Sequence, residues 1–152
     1  MKINLDDLKK LRADTSAGVS DCRQALEDAE GDVDKAKKLL LERGLEKAAK
    51  KEGKETSQGI VESYIHAGGK VGVLVELRCE TDFVARTDEF KALAHEVALQ
   101  VAAMNPKDVK ELMESAYIRD AKLSITALVK LTIAKVGENI TVAKFTRMQL
   151  GE

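Results

Sequence analysis

The sequence is poor in residues that mark several classes of protein. Its 152 residues include no Trp, one Pro, three Phe, two Tyr and two Cys. Cys22 and Cys79 both lie among apolar residues, so we expect no disulfide framework and a reducing compartment. No apolar run reaches the roughly 18 residues of a membrane span. The chain starts with a helix pattern and not with the apolar segment of a signal peptide, and we expect a cytoplasmic protein without membrane contact.

An excess of charge of one sign is also missing. The chain has 25 Lys and Arg against 26 Asp and Glu, for a net charge of -1. The densest basic segment, residues 47–54, alternates with Glu46, Glu52 and Glu55. Phosphate binding requires a positive surface that is not compensated in this way. We therefore expect a solvated surface here and no direct contact with nucleic acid.

Motifs of common catalytic and cofactor sites are absent. Gly68-Gly69 is not followed by the Lys-Ser/Thr of a phosphate-binding loop, and no G-x-S-x-G motif occurs. No Cys/His set has the spacing of a metal site. We expect no cofactor, no metal and no enzymatic activity. A thiol enzyme that pairs Cys79 with a histidine is an alternative, although Glu80 and Asp82 would raise the pKa of that thiol.

Residues 1–44 have the pattern of three short helices. Apolar residues recur three or four positions apart, Asn4 and Asp32 are suited to cap the first and third helices, and Gly44 is suited to end the third. We predict a three-helix domain over 1–44. A linker rich in Lys, Glu and Ala, helical or mobile, is predicted over 45–56.

From residue 57 the apolar period changes to two. Ile60–Ala67 and Val71–Leu77 alternate as strands on either side of Gly68-Gly69, which suits the positive φ of a hairpin turn. Helices are predicted from Thr87 to Met104, from Asp108 to Tyr117 and from Ser124 to Val136. A third strand is predicted over 139–150, and one of its faces would carry Ile140, Val142, Lys144 and Thr146. The whole predicts an α+β domain over 57–152, with a three-stranded antiparallel sheet covered by helices.

The six residues from Cys79 to Val84 lie at a junction between strand and helix. Two interpretations are open. In the first, Thr81 and Asp82 cap a helix and Phe83 lies in the core. In the second, Asp82 and Phe83 project from a rigid corner and present a charge beside a large apolar group. Composition favours the second interpretation, because the other two Phe residues fit periodic core positions.

Several separated segments, taken together, resemble one known family. They are Leu8–Arg12, Thr15–Gly18, Asp21–Leu26, Gly31-Asp32 with Lys35-Ala36, Cys79–Val84, Phe90 onward to Ala102–Pro106, Ala134–Ile140 and Leu150–Glu152. In this order, and over nearly the whole chain, they are similar to the elongation factor Ts family. The resemblance implies an N-terminal domain like the ubiquitin-associated fold and an α+β core.

The resemblance also implies a function. Members of the family are guanine-nucleotide exchange factors in translation elongation, and their partner is elongation factor Tu in its GDP-bound and nucleotide-free forms. By this resemblance the N-terminal domain contacts the partner through Arg12, Val19 and Ser20. The corner Thr81, Asp82, Phe83 and Val84 disturbs the magnesium and phosphate site. Short members of the family form homodimers, so a homodimer through the core domain is an expectation for this chain.

The sequence departs from the family pattern in two places. At the position of Ser16 the family often has Gly. At the positions of Val19 and Ser20 it often has two large apolar side chains, so the apolar contact expected from this pair is weaker. The segment from Lys107 to Ser124 is much shorter than usual. An alternative function, from another class, is an adaptor whose helical domain binds peptides or ubiquitin-like partners.

Overall fold

The computed structural model describes residues 2–152. They form two compact units, one reaching to Lys47 and the other running from Ala48 to Glu152. The first contains helices alone and the second combines a three-stranded antiparallel sheet with helices. The predicted α+β class, with a three-helix bundle before the core, is confirmed.

The first unit consists of α1 (Leu5–Thr15), α2 (Val19–Asp28) and α3 (Val33–Ala49). Asn4 caps α1, since its Oδ1 accepts a hydrogen bond from the Asp6 N–H at 2.9 Å, and Asp32 accepts one from the Lys35 N–H at 3.0 Å at the start of α3. The buried core of the bundle consists of small and medium-sized side chains from all three helices and the turn after α2: Leu11, Cys22, Ala25, Leu26, Ala29 and Ala36.

The predicted end of α3 at Gly44 is wrong, and residues 45–49 of the predicted linker are helical. A glycine inside a helix costs only about 1 kcal/mol, and the Leu, Glu, Lys and Ala residues that follow are good helix formers. Ion pairs on both sides of the glycine also join α3 to α2. Arg43 pairs with Asp28, and Lys47 pairs with Asp21 at 3.2 Å.

The second unit follows in the chain order β1 (Gln58–Ile65), β2 (Val71–Cys79), α4 (Asp82–Ala85), α5 (Asp88–Met104), α6 (Val109–Glu114), β3 (Ala116–Tyr117), β4 (Asp120–Ser124), α7 (Ile125–Val136) and β5 (Ile140–Gln149). The larger sheet has the order β1-β2-β5 with both pairings antiparallel. Gly68 and Gly69 turn the β1-β2 hairpin at φ values of 90° and 70°, as predicted. The buried face of β2 packs on α5, whose Phe90 is fully buried.

A bulge in β5 overturns the predicted alternation of its side chains. Glu76 pairs with Lys144 but the next residue, Leu77, pairs with Val142, so Ala143 is an extra residue in β5. A one-residue bulge moves every later side chain to the opposite face. The strand therefore turns Ile140, Val142, Phe145 and Arg147 towards the helices.

The helix predicted over 108–117 ends at Glu114, and a second, two-stranded sheet of β3 and β4 follows it. The side chain of the fully buried Gln100 on α5 explains this end. Its amide group donates to the Ala116 carbonyl at 2.8 Å and accepts from the Ile118 N–H at 3.0 Å. These contacts hold the backbone in a hairpin, which local sequence does not encode.

Within residues 2–152, no helix is both long and apolar enough to cross a membrane. The same residues contain no group of three or more His, Cys, Asp or Glu side chains arranged to hold a metal ion.

Candidate functional site

The corner predicted between strand and helix is present. β2 ends at the buried Cys79, and α4 is a single helical turn that begins at Asp82. Thr81 is the N-cap of that turn, with an extended backbone (φ -126°, ψ 155°) and a hydroxyl that accepts a hydrogen bond from the Val84 N–H. The capping role predicted for Thr81 is confirmed.

Phe83 projects from this corner and is 88% exposed. The next two residues, Val84 and Ala85, point the other way and belong to the buried core. Phe90 is fully buried and Phe145 packs against the core. The interpretation in which Phe83 lies in the core is therefore wrong, because the turn directs Val84 and Ala85 into the core and leaves Phe83 on the solvent side.

Asp82 lies beside Phe83 and is exposed. One of its carboxylate oxygens is 2.5 Å from the Arg86 guanidinium one helical turn later. Pairs at this spacing on a solvated helix stabilise it only weakly, by a few tenths of a kcal/mol. The Asp82 carboxylate is therefore available to a partner, since breaking its pair with Arg86 costs little.

The Cys79 thiol lies on the core side of the corner and contacts its backbone. It is buried, and its Sγ donates to the Thr81 carbonyl at 3.1 Å. Burial raises the pKa of this thiol above its usual value, and the Glu138 carboxylate raises the pKa further. A raised pKa leaves little thiolate near neutral pH, which is the opposite of what a nucleophilic cysteine requires. The geometry disfavours the alternative of a thiol enzyme.

The turn between α7 and β5 is joined to the corner by hydrogen bonds. The Glu138 carboxylate accepts from the Thr81 N–H at 2.9 Å and from the Thr81 hydroxyl at 2.7 Å. In the other direction, the Glu80 carboxylate accepts from the Asn139 N–H at 2.9 Å. Sequence reasoning did not find this role for Glu138, because the two residues are 57 positions apart and only the pairing of β5 with β2 brings them together.

The predicted site residues of the first unit lie on either side of the turn between α1 and α2. Arg12 is in the last turn of α1, and Val19 and Ser20 open α2. All three are exposed, and Val19 is an apolar residue with about half of its surface free. The N-cap of α2 is Gly18, which provides no side-chain hydrogen bond. Ser20 is therefore not used as a cap and remains on the surface.

Comparison with known proteins places this chain beside one family. The family model described as Elongation factor TS matches residues 80–152, which include the corner. Elongation factor Ts of Thermotoga neapolitana is 41% identical over 195 aligned residues, covering all of this chain and 99% of the relative. That of Coprothermobacter proteolyticus is 41% identical over 197 residues, with complete coverage of both chains. That of Rippkaea orientalis is 39% identical over 197 residues and covers 99% of this chain and 79% of the relative.

The fold and these matches define the class of the protein, which is a translation elongation factor. The chain belongs to the elongation factor Ts family. The alignments are longer than the 152 residues of this chain, so its relatives carry residues that it lacks. A shortened chain is consistent with the short segment noted between Lys107 and Ser124, which here folds as α6 and the β3-β4 hairpin.

Proposed function

We propose that the protein is a guanine-nucleotide exchange factor that binds elongation factor Tu with GDP and promotes GDP release in the cytoplasm. It acts by binding and catalyses no chemical reaction of its own. The observation that carries the proposal is the exposed Asp82-Phe83 pair on a corner that is anchored on three sides, by Cys79, Glu138 and Val84. Such a corner offers a rigid apolar probe and a negative charge to one partner.

The energetics of exchange follow from linkage. An exchange factor that binds the nucleotide-free partner more tightly than the GDP-bound partner weakens GDP binding by the same factor. Each tenfold effect requires about 1.4 kcal/mol of differential binding. Burying the exposed Phe83 side chain in a pocket of the partner provides roughly 1.5–3 kcal/mol. Phe83 therefore accounts for about one to two powers of ten in GDP release.

Asp82 and its neighbours have complementary roles in this proposal. The Asp82 carboxylate disturbs the magnesium and phosphate site of the partner by its negative charge, after it separates from Arg86. Thr81 and Val84 belong to the same site and support Asp82 and Phe83. Thr81 holds the corner through Glu138, and Val84 anchors it in the core. In the first unit, Arg12, Val19 and Ser20 form a second contact with elongation factor Tu.

GDP release from elongation factor Tu, followed by stopped flow, tests the proposal. Phe83→Ala should slow the stimulated release by about tenfold to a hundredfold, which corresponds to roughly 1.5–3 kcal/mol. The thermal unfolding of this variant should match wild type, since the side chain is exposed. Ile118→Ala removes another exposed apolar residue of the same unit and serves as the control. A folded Phe83→Ala protein with wild-type stimulation would refute the role of Phe83.

We also propose that two copies of the chain associate through the outer face of the β1-β2-β5 sheet. This face presents four apolar side chains that are between 52% and 74% exposed, namely Val61, Ile65, Leu74 and Met148. Exposed apolar patches of a protein surface are typical of interaction sites. A twofold dimer uses the same surface patch on both copies, and twofold rotation is the commonest symmetry of homo-oligomers.

Sedimentation equilibrium tests the homodimer. Leu74→Lys places a charge in the middle of the apolar face and should shift the protein to monomer. Ile118→Lys, on an exposed apolar position between β3 and β4, adds the same charge away from this face and should leave the mass unchanged. A wild-type chain that sediments as a monomer at all accessible concentrations would refute this assembly.

A further inference from the structure

The Glu138 side chain makes no contact with the partner in the proposed function, yet it holds the corner through two short hydrogen bonds. Its two oxygens accept from the N–H and the hydroxyl of a single residue, Thr81, at 2.9 and 2.7 Å. We propose that Glu138 is a positioning residue for nucleotide exchange, which fixes Thr81 and thereby the direction in which α4 presents Asp82 and Phe83. This inference rests on the proposed function.

The short helix α4 depends on such an anchor. It has four residues, and helices of this length are not stable by themselves. Its own cap is weak, because the Val84 N–H is 3.4 Å from the Thr81 hydroxyl oxygen, near the limit of a hydrogen bond. The bonds from Thr81 to the Glu138 carboxylate are shorter and involve a charged acceptor, which makes them the stronger contacts of the cap residue.

Glu138 is itself held in place. The next residue, Asn139, is buried, and its backbone N–H donates to the Glu80 carboxylate at 2.9 Å. Its side-chain amide donates to the Lys54 carbonyl at 2.8 Å. The two segments thus exchange hydrogen bonds in both directions, Thr81 to Glu138 and Asn139 to Glu80. The backbone next to Glu138 is consequently fixed, and the corner is attached to it through the Glu138 carboxylate.

The functional side chains have no comparable restraint of their own. Phe83 is 88% exposed, and the ion pair of Asp82 is with Arg86, which moves together with α4. Loss of the Glu138 carboxylate therefore leaves Asp82 and Phe83 chemically intact but spreads them over more orientations. The apparent affinity of a binding surface falls in proportion to the fraction of molecules in the competent orientation.

The test measures GDP release from elongation factor Tu against concentration of the full-length protein. Glu138→Ala should raise the half-saturating concentration by about tenfold, equivalent to about 1.4 kcal/mol. Glu138→Gln retains one acceptor oxygen and should fall between wild type and the alanine variant. Glu114→Ala, which removes an exposed carboxylate on α6, should behave as wild type.

A second background separates positioning from a general loss of stability. When Asp82 and Phe83 are both replaced by Ala, adding Glu138→Ala should have no further effect, because nothing remains to be positioned. A merely structural role would lower activity in both backgrounds and would overturn the inference. Amide hydrogen exchange should also show faster exchange at Thr81 and Val84 in Glu138→Ala, and unchanged rates there would overturn it as well.

The outcomes distinguish the two proposals. Wild-type protein that leaves GDP release unchanged refutes the proposed function and, with it, the positioning role. Wild-type protein that stimulates release, with Glu138→Ala equally effective at every concentration, refutes the positioning role alone.

Discussion

The side-chain oxygen of Gln100 accepts a hydrogen bond from the backbone N–H of Ile118 at 3.0 Å, across 18 positions of the chain. The amide nitrogen of the same side chain donates to the Ala116 carbonyl and to the Ser115 hydroxyl. A fully buried amide therefore holds the β3-β4 hairpin against α5. This hairpin lies within the segment between Lys107 and Ser124.

Gln100→Leu should destabilise the second unit by about 1–3 kcal/mol, because it leaves the Ala116 carbonyl and the Ile118 N–H without their partner at part-buried positions. Denaturant unfolding and amide exchange at Ile118 measure the effect. Ser115→Ala removes a single partner and should cost less. Equal stability of Gln100→Leu and wild type would contradict the structural role of the amide.

The Tyr117 phenol should lose its proton at a higher pH than an ordinary tyrosine. Burial, followed by its hydrogen bond to the Glu96 carboxylate at 2.7 Å, raises its pKa to about 12. The ordinary pKa in an unfolded chain is about 10. The neutral phenol thus contributes stability that is fully present below about pH 10 and is lost as the pH rises towards 12. Phenolate absorbance of a Tyr64→Phe variant measures this pKa. Glu96→Gln should lower it, and an unchanged pKa in that variant would contradict the assigned contact.

The Cys79 thiol should react slowly in the folded protein. Its burial raises the pKa, with a further contribution from Glu138, so the thiolate fraction at mildly alkaline pH is small. A Cys22→Ser variant reports on Cys79 alone. We expect slow maleimide labelling under native conditions and rapid labelling in denaturant. Rapid native labelling would revive the hypothesis of a thiol nucleophile.

The helical unit should lose stability in acid partly through Asp28. The hydrogen bond that this carboxylate accepts from the Arg43 guanidinium, followed by the one it accepts from the Gln24 amide, lowers its pKa. A lowered folded-state pKa contributes stability above the unfolded value of about 3.9, and this contribution is lost as the pH falls through the folded-state pKa. The unfolding temperature of wild type should therefore exceed that of Asp28→Asn at neutral pH, and the difference should shrink below about pH 4.

Glu27→Gln is the matched control for this experiment. It removes a neighbouring exposed carboxylate whose ion pair with Arg23 lies within α2. A pair of this kind contributes little, so the stability of Glu27→Gln should follow that of wild type at each pH. A difference between Asp28→Asn and wild type that persists unchanged into acid would contradict the role of the ion pair with Arg43.

Much of the fold could be predicted from local pattern. Short polar residues lie at helix starts and cap them, as their side chains suggest: Asn4, Asp32, Thr81, Thr87 and Ser124. Gly68-Gly69 turns a hairpin. Each of these features depends on residues within a few positions of one another, so the sequence carries the full information. The corner at Thr81–Val84 was predicted for the same reason.

The errors arose where distant residues decide the backbone. At Gly44 the helix continues through ion pairs with α2, and at Ala143 a bulge in the pairing with β2 reverses the faces of β5. The hairpin after α6 depends on Gln100 of another helix. Local propensity is weaker than the tertiary contacts at Ala143 and after α6, whereas at Gly44 the good helix formers that follow the glycine favour the longer helix together with the ion pairs.

The sequence by itself determined that a strand ends and a capped helical turn begins at Cys79–Val84, because capping and alternation are local properties. It left open whether Phe83 lies in the core or on the surface. Tertiary structure decided this, because the core already takes Val84 from the same turn and leaves Phe83 outside. Tertiary structure alone also brought Glu138 to Thr81, since the pairing of β5 with β2 closes the 57 positions between them.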